Sequence, residues 1–279
     1  MELELWFIFA IAIFAFVCEY VDSTLGMGYG TTLTPLLMLF GFSPLEIVPA
    51  VLLSELVSGV LAGVFHHFEG NVDFKPKTTN VNEIKNHIKN NGVYVGLCRT
   101  LSMHTKIALL LAICSMIGTI AAVFIAVNIP KFWLKIYIGV LVLLMGLIIL
   151  VFFKRTFRFS PRKIFLLGMV ASFNKGMSGG GYGPVVTGGQ ILSGVEGKSA
   201  VGITSLAEGL TCLVGVIAYA LISSNPVDWH LAPYIVVGAV LSVPLSAKSV
   251  KIISEKWLKL GIAILTISLG LLTIIKTLL

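Results

Sequence analysis

Charge is what this chain has least of. Asp, Glu, Lys and Arg make up 12% of 279 residues, about half the ~25% of a soluble domain. A compact fold with so few charges cannot cover its surface in water, so a soluble enzyme and a disordered chain are both excluded. Cysteine is also scarce. Cys18, Cys98, Cys114 and Cys212 form no C-x-x-C pair and three of them lie in apolar stretches, so they read as four unpaired thiols, and the low charge excludes a secreted disulfide scaffold as well. The N-terminus, MELELWF, lacks the basic n-region of a signal peptide and reads as the start of a first membrane segment.

Nucleotide and catalytic motifs are missing too. Gly197-Lys198-Ser199 ends like a P-loop, but Leu192 stands where that motif needs glycine. Gly26-x-Gly28 continues to Thr31 rather than to a third glycine. The chain therefore neither hydrolyses ATP nor needs an ATPase subunit. No H-E-x-x-H occurs, and no Asp/His cluster lies in an apolar segment, so an intramembrane enzyme has no nucleophile–base pair or metal centre. His66-His67 has no second ligand cluster beside it, and no metal or other cofactor is expected.

What is present is hydrophobic: 57% of residues and a mean hydropathy of +0.97. The fold class expected is an all-α polytopic membrane protein in a lipid bilayer. Its net charge of +7 reflects cytoplasmic loops rather than nucleic-acid binding. Sixteen of the 20 Lys and Arg fall in 70–106, 154–163, 248–259 and at Lys198. That bias puts those loops in the cytoplasm of a plasma-membrane protein, with the N-terminus outside.

The chain repeats itself. Gly26-Met27-Gly28-Tyr29-Gly30 recurs as Gly179-Gly180-Gly181-Tyr182-Gly183 at an offset of 153. Ten of the thirty positions from Gly26 to Glu55 are identical at that offset, including Gly41 with Gly194 and Glu55 with Glu208. Trp133-Leu134-Lys135 matches Trp257-Leu258-Lys259 at offset 124, and Gly146 then matches Gly270. The first half therefore holds an insertion, placed in the polar stretch 75–106. The organisation expected is a first repeat over 1–153, a basic linker over 154–163 and a second repeat over 164–279.

Each repeat holds five apolar segments: 5–23, 31–42, 45–68, 107–128 and 133–153, then 164–174, 184–194, 199–223, 232–248 and 257–278. Segments of about 11 residues reach only about half a bilayer, so 164–174 and 184–194 read as a re-entrant hairpin or broken helix around a glycine loop. Ser43-Pro44-Leu45-Glu46 reads as a capping box, and Pro184 suits a first helical turn. With the N-terminus outside and 154–163 inside, each half crosses an odd number of times. The halves then enter from opposite sides as an inverted-topology repeat, an arrangement of secondary transporters.

Candidate site residues follow from the glycine loops. Gly26, Gly28 and Gly30, with Gly179, Gly180, Gly181 and Gly183, allow positive φ and close approach to a ligand. A helix starting after each loop points N–H groups and its positive dipole end at that loop, which suits an anion. The competing reading is that these glycines only let helices pack closely. Tyr29, Tyr182, Ser178, Thr31, Thr32 and Gln190 can hydrogen-bond an oxyanion. Glu55 and Glu208 are charges within apolar segments, candidates for gating or proton binding. Asp22 and Lys175 are equivalent at offset 153 with opposite charge. Lys175 either attracts an anion or pairs with Asp22, and a backbone N–H is a second partner for Asp22.

Gly-x-Gly-Tyr-Gly followed by Thr34-Pro35-Leu36-Leu37 and Gly41-Phe42-Ser43-Pro44 resembles the TauE/SafE family of membrane transporters. So does the block from Asn174-Lys175-Gly176-Met177-Ser178 to Pro184. The resemblance implies export of small anions such as sulfite or sulfoacetate. An anion channel on the same scaffold and a proton-coupled carrier of another small carboxylate or sulfur compound are the alternatives. A homodimer is compatible with the sequence.

Overall fold

In the computed structural model the described residues are 5–78, 80–92, 99–151, 161–192, 195–223, 227–250, 252 and 255–279. Cys98, Gly194 and most of the basic linker 154–163 lie outside them. Among the described residues there are eleven longer helices and no strand. The first half has α1 (Leu5–Leu25), α2 (Tyr29–Leu39), α3 (Pro44–Phe68), α4 (Val81–Asn91), α5 (Met103–Asn128) and α6 (Lys131–Val151). The second has α7 (Pro161–Ser178), α8 (Gly183–Leu192), α9 (Gly197–Ile222), α10 (Ala232–Ser249) and α11 (Glu255–Leu278).

Helix starts follow local chemistry. At α3 the Ser43 backbone N–H donates to Glu46 Oε2 at 2.7 Å, with Pro44 in the first turn. At α5 the Ser102 hydroxyl accepts from the Thr105 N–H at 3.1 Å. The stretch 75–106 contains α4, opened by Asn80, whose side chain accepts from Asn82 N–H.

One segment is longer than hydropathy suggests. The stretch 164–174 is not half-length: α7 has 18 residues and continues through Asn174, Lys175 and Ser178. Polar residues ended the apolar run there, but the helix carries them inward, where other helices neutralise them. The short elements are the second of each half, α2 with 11 residues and α8 with 10. Each half thus opens with a long helix, a glycine turn and a short helix.

Among the described residues, six helices or parts of helices are long and apolar enough to cross a membrane, in α1, α3, α5, α6, α9 and α10. Their polarity is inverted relative to a soluble protein. Phe9, Ile13, Ile113, Ile117, Phe124, Leu144, Val237 and Leu241 are exposed, while Glu19, Asp22, Glu55, Lys175 and Glu208 are buried. Such an apolar exterior suits lipid.

Helices pair across the halves. α1 packs on α10, and α7 on α5. α3 packs on α10 and α9 packs on α5, while α3 meets α9 and α6 meets α11. Small residues let the helices approach. A side chain on Gly59 of α3 would press on Ser205 and Gly209 of α9, and one on Gly238 of α10 would strike the Ala12 carbonyl of α1. Gly146 and Gly270 both lie at the α6–α11 contact.

Candidate functional site: two glycine loops over a buried charge cluster

The α1–α2 and α7–α8 turns are built alike. Gly26 and Gly179 have φ of 71° and 73°, and Gly28 and Gly181 have φ of 132° and 82°. These values fall where side chains are disfavoured. The two turns meet backbone to backbone. A side chain on Gly30 would run into the Gly179 carbonyl and Gly180, and one on Gly183 would run into the Gly26 carbonyl and Met27. Thr187 ties them further by donating to the Gly26 carbonyl at 2.8 Å.

Beside these turns lies a charge cluster. Lys175 is fully buried near the end of α7. Its ammonium donates to Glu208 Oε1 of α9 at 2.7 Å and pairs with Glu55 Oε2 of α3. Glu55 is the twelfth residue of α3 and Glu208 the twelfth of α9, so each sits near the middle of its helix. The structure therefore pairs Lys175 with the two equivalent glutamates, not with Asp22. Asp22 Oδ1 instead accepts the Tyr29 N–H at 3.1 Å. A carboxylate thus already occupies the N-terminus of α2, where the helix dipole favours one. The corresponding position before α8 holds Lys175.

Asp22, Glu55 and Glu208 each bring an oxygen within 4.8 Å of the others. The Lys175 ammonium reaches two of the three, Glu55 and Glu208, and brings one positive charge to the group.

The other expected ligand-binding side chains are engaged inside the protein. Ser54 gives its proton to the Ile235 carbonyl at 3.2 Å, so the Tyr29 hydroxyl donates to Ser54 at 2.7 Å. The Tyr182 hydroxyl meets that of Ser115 at 3.3 Å. Ser178 bonds the Asn174 carbonyl and accepts the Gly180 N–H at 3.1 Å. Thr31 donates to the Gly28 carbonyl at 3.2 Å. Thr32 is buried on α2. Gln190 donates to Thr204 at 2.7 Å, which leaves its Oε1 buried and unpartnered. His66 is a strut: its Nε2 bonds the Ser23 carbonyl at 2.8 Å and its Nδ1 bonds the Asn71 side chain at 3.0 Å. Cys18, Cys114 and Cys212 are free and buried.

Sequence reasoning passed over Glu19, Ser58, Thr187 and Thr204. Glu19 and Ser58 line one small cavity with Asp22, Glu55 and Glu208. The signal for Glu19 was present, a second acid one turn before Asp22 in an apolar segment. It went unread because its counterpart at offset 153 is Ser172. Thr187 aligns with Thr34 in the repeat, a match that was counted without being given a role.

The sequence profile of the family described as "Sulfite exporter TauE/SafE" matches residues 11–78 and 92–273. The stretch left out, 79–91, contains α4. The chain is also 29% identical over 252 residues to the Bacillus subtilis (strain 168) protein named "Probable membrane transporter protein YtnM". That alignment covers 84% of this chain and 73% of the other. No solved structure matches it. With the matched stretches running from α1 into α11 and taking in both glycine turns, the chain belongs to the TauE/SafE sulfite exporter family of membrane transporters.

Proposed function

We propose that this transporter exports small anions, sulfite or organosulfonates, bound near the bilayer midplane at the paired glycine loops. The observation that carries this reading is the meeting of the two turns backbone to backbone beside a buried lysine. Gly26, Gly28, Tyr29, Gly30 and Thr31 line the site from one side. Lys175, Ser178, Gly179, Gly180, Gly181, Tyr182, Gly183 and Gln190 line it from the other. The α2 N-terminus holds Asp22, so the start of α8 and Lys175 offer the anion its positive potential. An anion arriving there competes with Glu55 and Glu208 for the ammonium. Releasing those glutamates loosens α3 from α9, which makes Asp22, Glu55 and Glu208 the gate.

The same proposal takes the halves as an inverted-topology repeat with the N-terminus outside. Support comes from the helix pairings, in which α1 on α10 is matched by α7 on α5, and α3 on α10 by α9 on α5. A two-fold relation generates such matched sets. An inside-negative potential then favours anion exit by ~2.3 kcal/mol per charge per 100 mV.

Thermal unfolding of purified protein with sulfite, sulfoacetate, thiosulfate and sulfate tests the binding reading, because a ligand of the folded state raises Tm by mass action. One sulfur anion is expected to raise Tm. The effect should vanish in the variant Lys175→Met/Glu55→Gln/Glu208→Gln. A rise only with a neutral solute or a cation sinks the anion assignment.

A further inference from the structure

Glu19 is the buried acid for which the cluster supplies no compensating charge. Glu55 and Glu208 share the Lys175 ammonium. Asp22 accepts a backbone N–H at the start of α2. Glu19 is 2% exposed, its Oε2 is buried without a hydrogen-bond partner, and among the described residues no basic side chain pairs with it. It faces the cavity lined also by Asp22, Glu55, Ser58, Gly59, Ser205 and Glu208. Two more unpartnered buried atoms belong to that lining, Glu55 Oε1 and Ser58 Oγ.

An ionised carboxylate in such a place costs several kcal/mol without a counter-charge. Buried groups of this kind neutralise instead. Two neutralisers are available, a proton or a free cation. The space for water-sized occupants is about 10 Å³, close to the minimum that holds one water. A metal ion with a six- to eight-oxygen shell of the calcium kind does not fit that space, and the Lys175 ammonium at Glu55 and Glu208 repels any second cation.

The repeat sharpens the assignment. At offset 153, Glu19 and Asp22 of α1 correspond to Ser172 and Lys175 of α7. One half thus carries a fixed positive charge where the other carries two acids. The acids of α3 and α9 share that one ammonium and Asp22 accepts the Tyr29 N–H, which leaves Glu19 with neither.

We propose that Glu19 is a proton-binding residue, and that the proton it takes up and releases is the coupling ion of the carrier. In the conformation described here Glu19 is the neutral acid. When α1 and α3 part and water enters, its O–H gives the proton to water and the carboxylate remains, hydrated. The groups that act on this exchange are Cys18 and Asp22 on α1, Tyr29 on α2, Glu55 and Ser58 on α3, Lys175 on α7, and Ser205 and Glu208 on α9. α10, packed along α1, has Tyr234 and Lys248 as its ionisable residues, near its two ends, and Lys248 is exposed. The coupling role rests on the carrier reading above, whereas proton binding at Glu19 does not depend on the cargo.

The test is infrared difference spectroscopy of the purified full-length protein in lipid nanodiscs, titrated from acid to alkaline pH in potassium chloride without any sulfur anion. The wild type should show a protonated-carboxyl stretch from a buried acid that persists at neutral pH and bleaches at alkaline pH. Glu19→Gln, neutral and of the same size, should lose that band. Ser58→Ala should move its frequency, a readout available even if Glu19→Gln does not fold. A Glu19→Gln spectrum identical to the wild type overturns the proposal, as does a wild-type band that bleaches when sodium replaces potassium at constant pH. Because no sulfur anion is present, these outcomes stand apart from any failure of sulfite to bind.

Discussion

Lys175 joins two glutamates about 150 residues apart in the sequence, and its surroundings decide its worth. A buried ion pair that loses one partner strands the other charge at a cost of about 3–5 kcal/mol, whereas replacing the whole group with neutral residues is often harmless. Lys175→Met alone should therefore lower Tm and yield, because it leaves Glu55 and Glu208 facing each other in an apolar interior. The triple variant Lys175→Met/Glu55→Gln/Glu208→Gln should recover most of that loss. Thermal unfolding in detergent measures both, and equal losses in the two variants would mean that the ammonium holds more than these carboxylates. Glu55 and Glu208 were legible as charges in apolar segments, and Lys175 as a charge in the second glycine block. Their grouping was not, since the sequence allowed Asp22 as the partner and no local rule chose among the acids.

At the scale of elements, the turn and short helix of each half decide the architecture. Gly183 opens α8 against the Gly26 carbonyl, while Gly188, five residues later, has nothing within 4 Å of where a side chain would begin. The two positions should therefore respond oppositely to alanine. Gly183→Ala forces the two turns apart and should reduce folded protein. Gly188→Ala removes a mid-helix glycine and should stabilise by about 0.5–1 kcal/mol. Tm values for the pair decide this, and a loss at both would show that α8 packs more tightly along its whole length. The glycine blocks stood out in the sequence because they repeat. The length of α7 did not, because hydropathy stops at Asn174 and Lys175 although the helix runs on to Ser178.

Across the whole molecule, the apolar exterior and charged interior make sense only in a bilayer. The orientation proposed above is testable there. On a cysteine-free background, Asp228→Cys between α9 and α10 should react with an impermeant maleimide in intact cells. Lys85→Cys on α4 should react only after the cells are opened. The reverse pattern would invert the topology and, with it, the direction in which the membrane potential drives an anion.

Composition and local strings were enough to read the solvent, the duplication and all of the segment pattern but the length of α7. These depend on composition, on runs long enough to cross lipid at 1.5 Å per residue, and on matches along the chain. Family membership was legible for the same reason, since the paired glycine blocks are local strings. It took the packed helices to show that Gly30 rests on Gly179 and Gly183 on Gly26, that Lys175 serves Glu55 and Glu208, and that Glu19 is left without a partner. Neutralising a buried charge is a contact property. It depends on which helices cross and at which turn, and α1, α3, α7 and α9 carry that information jointly.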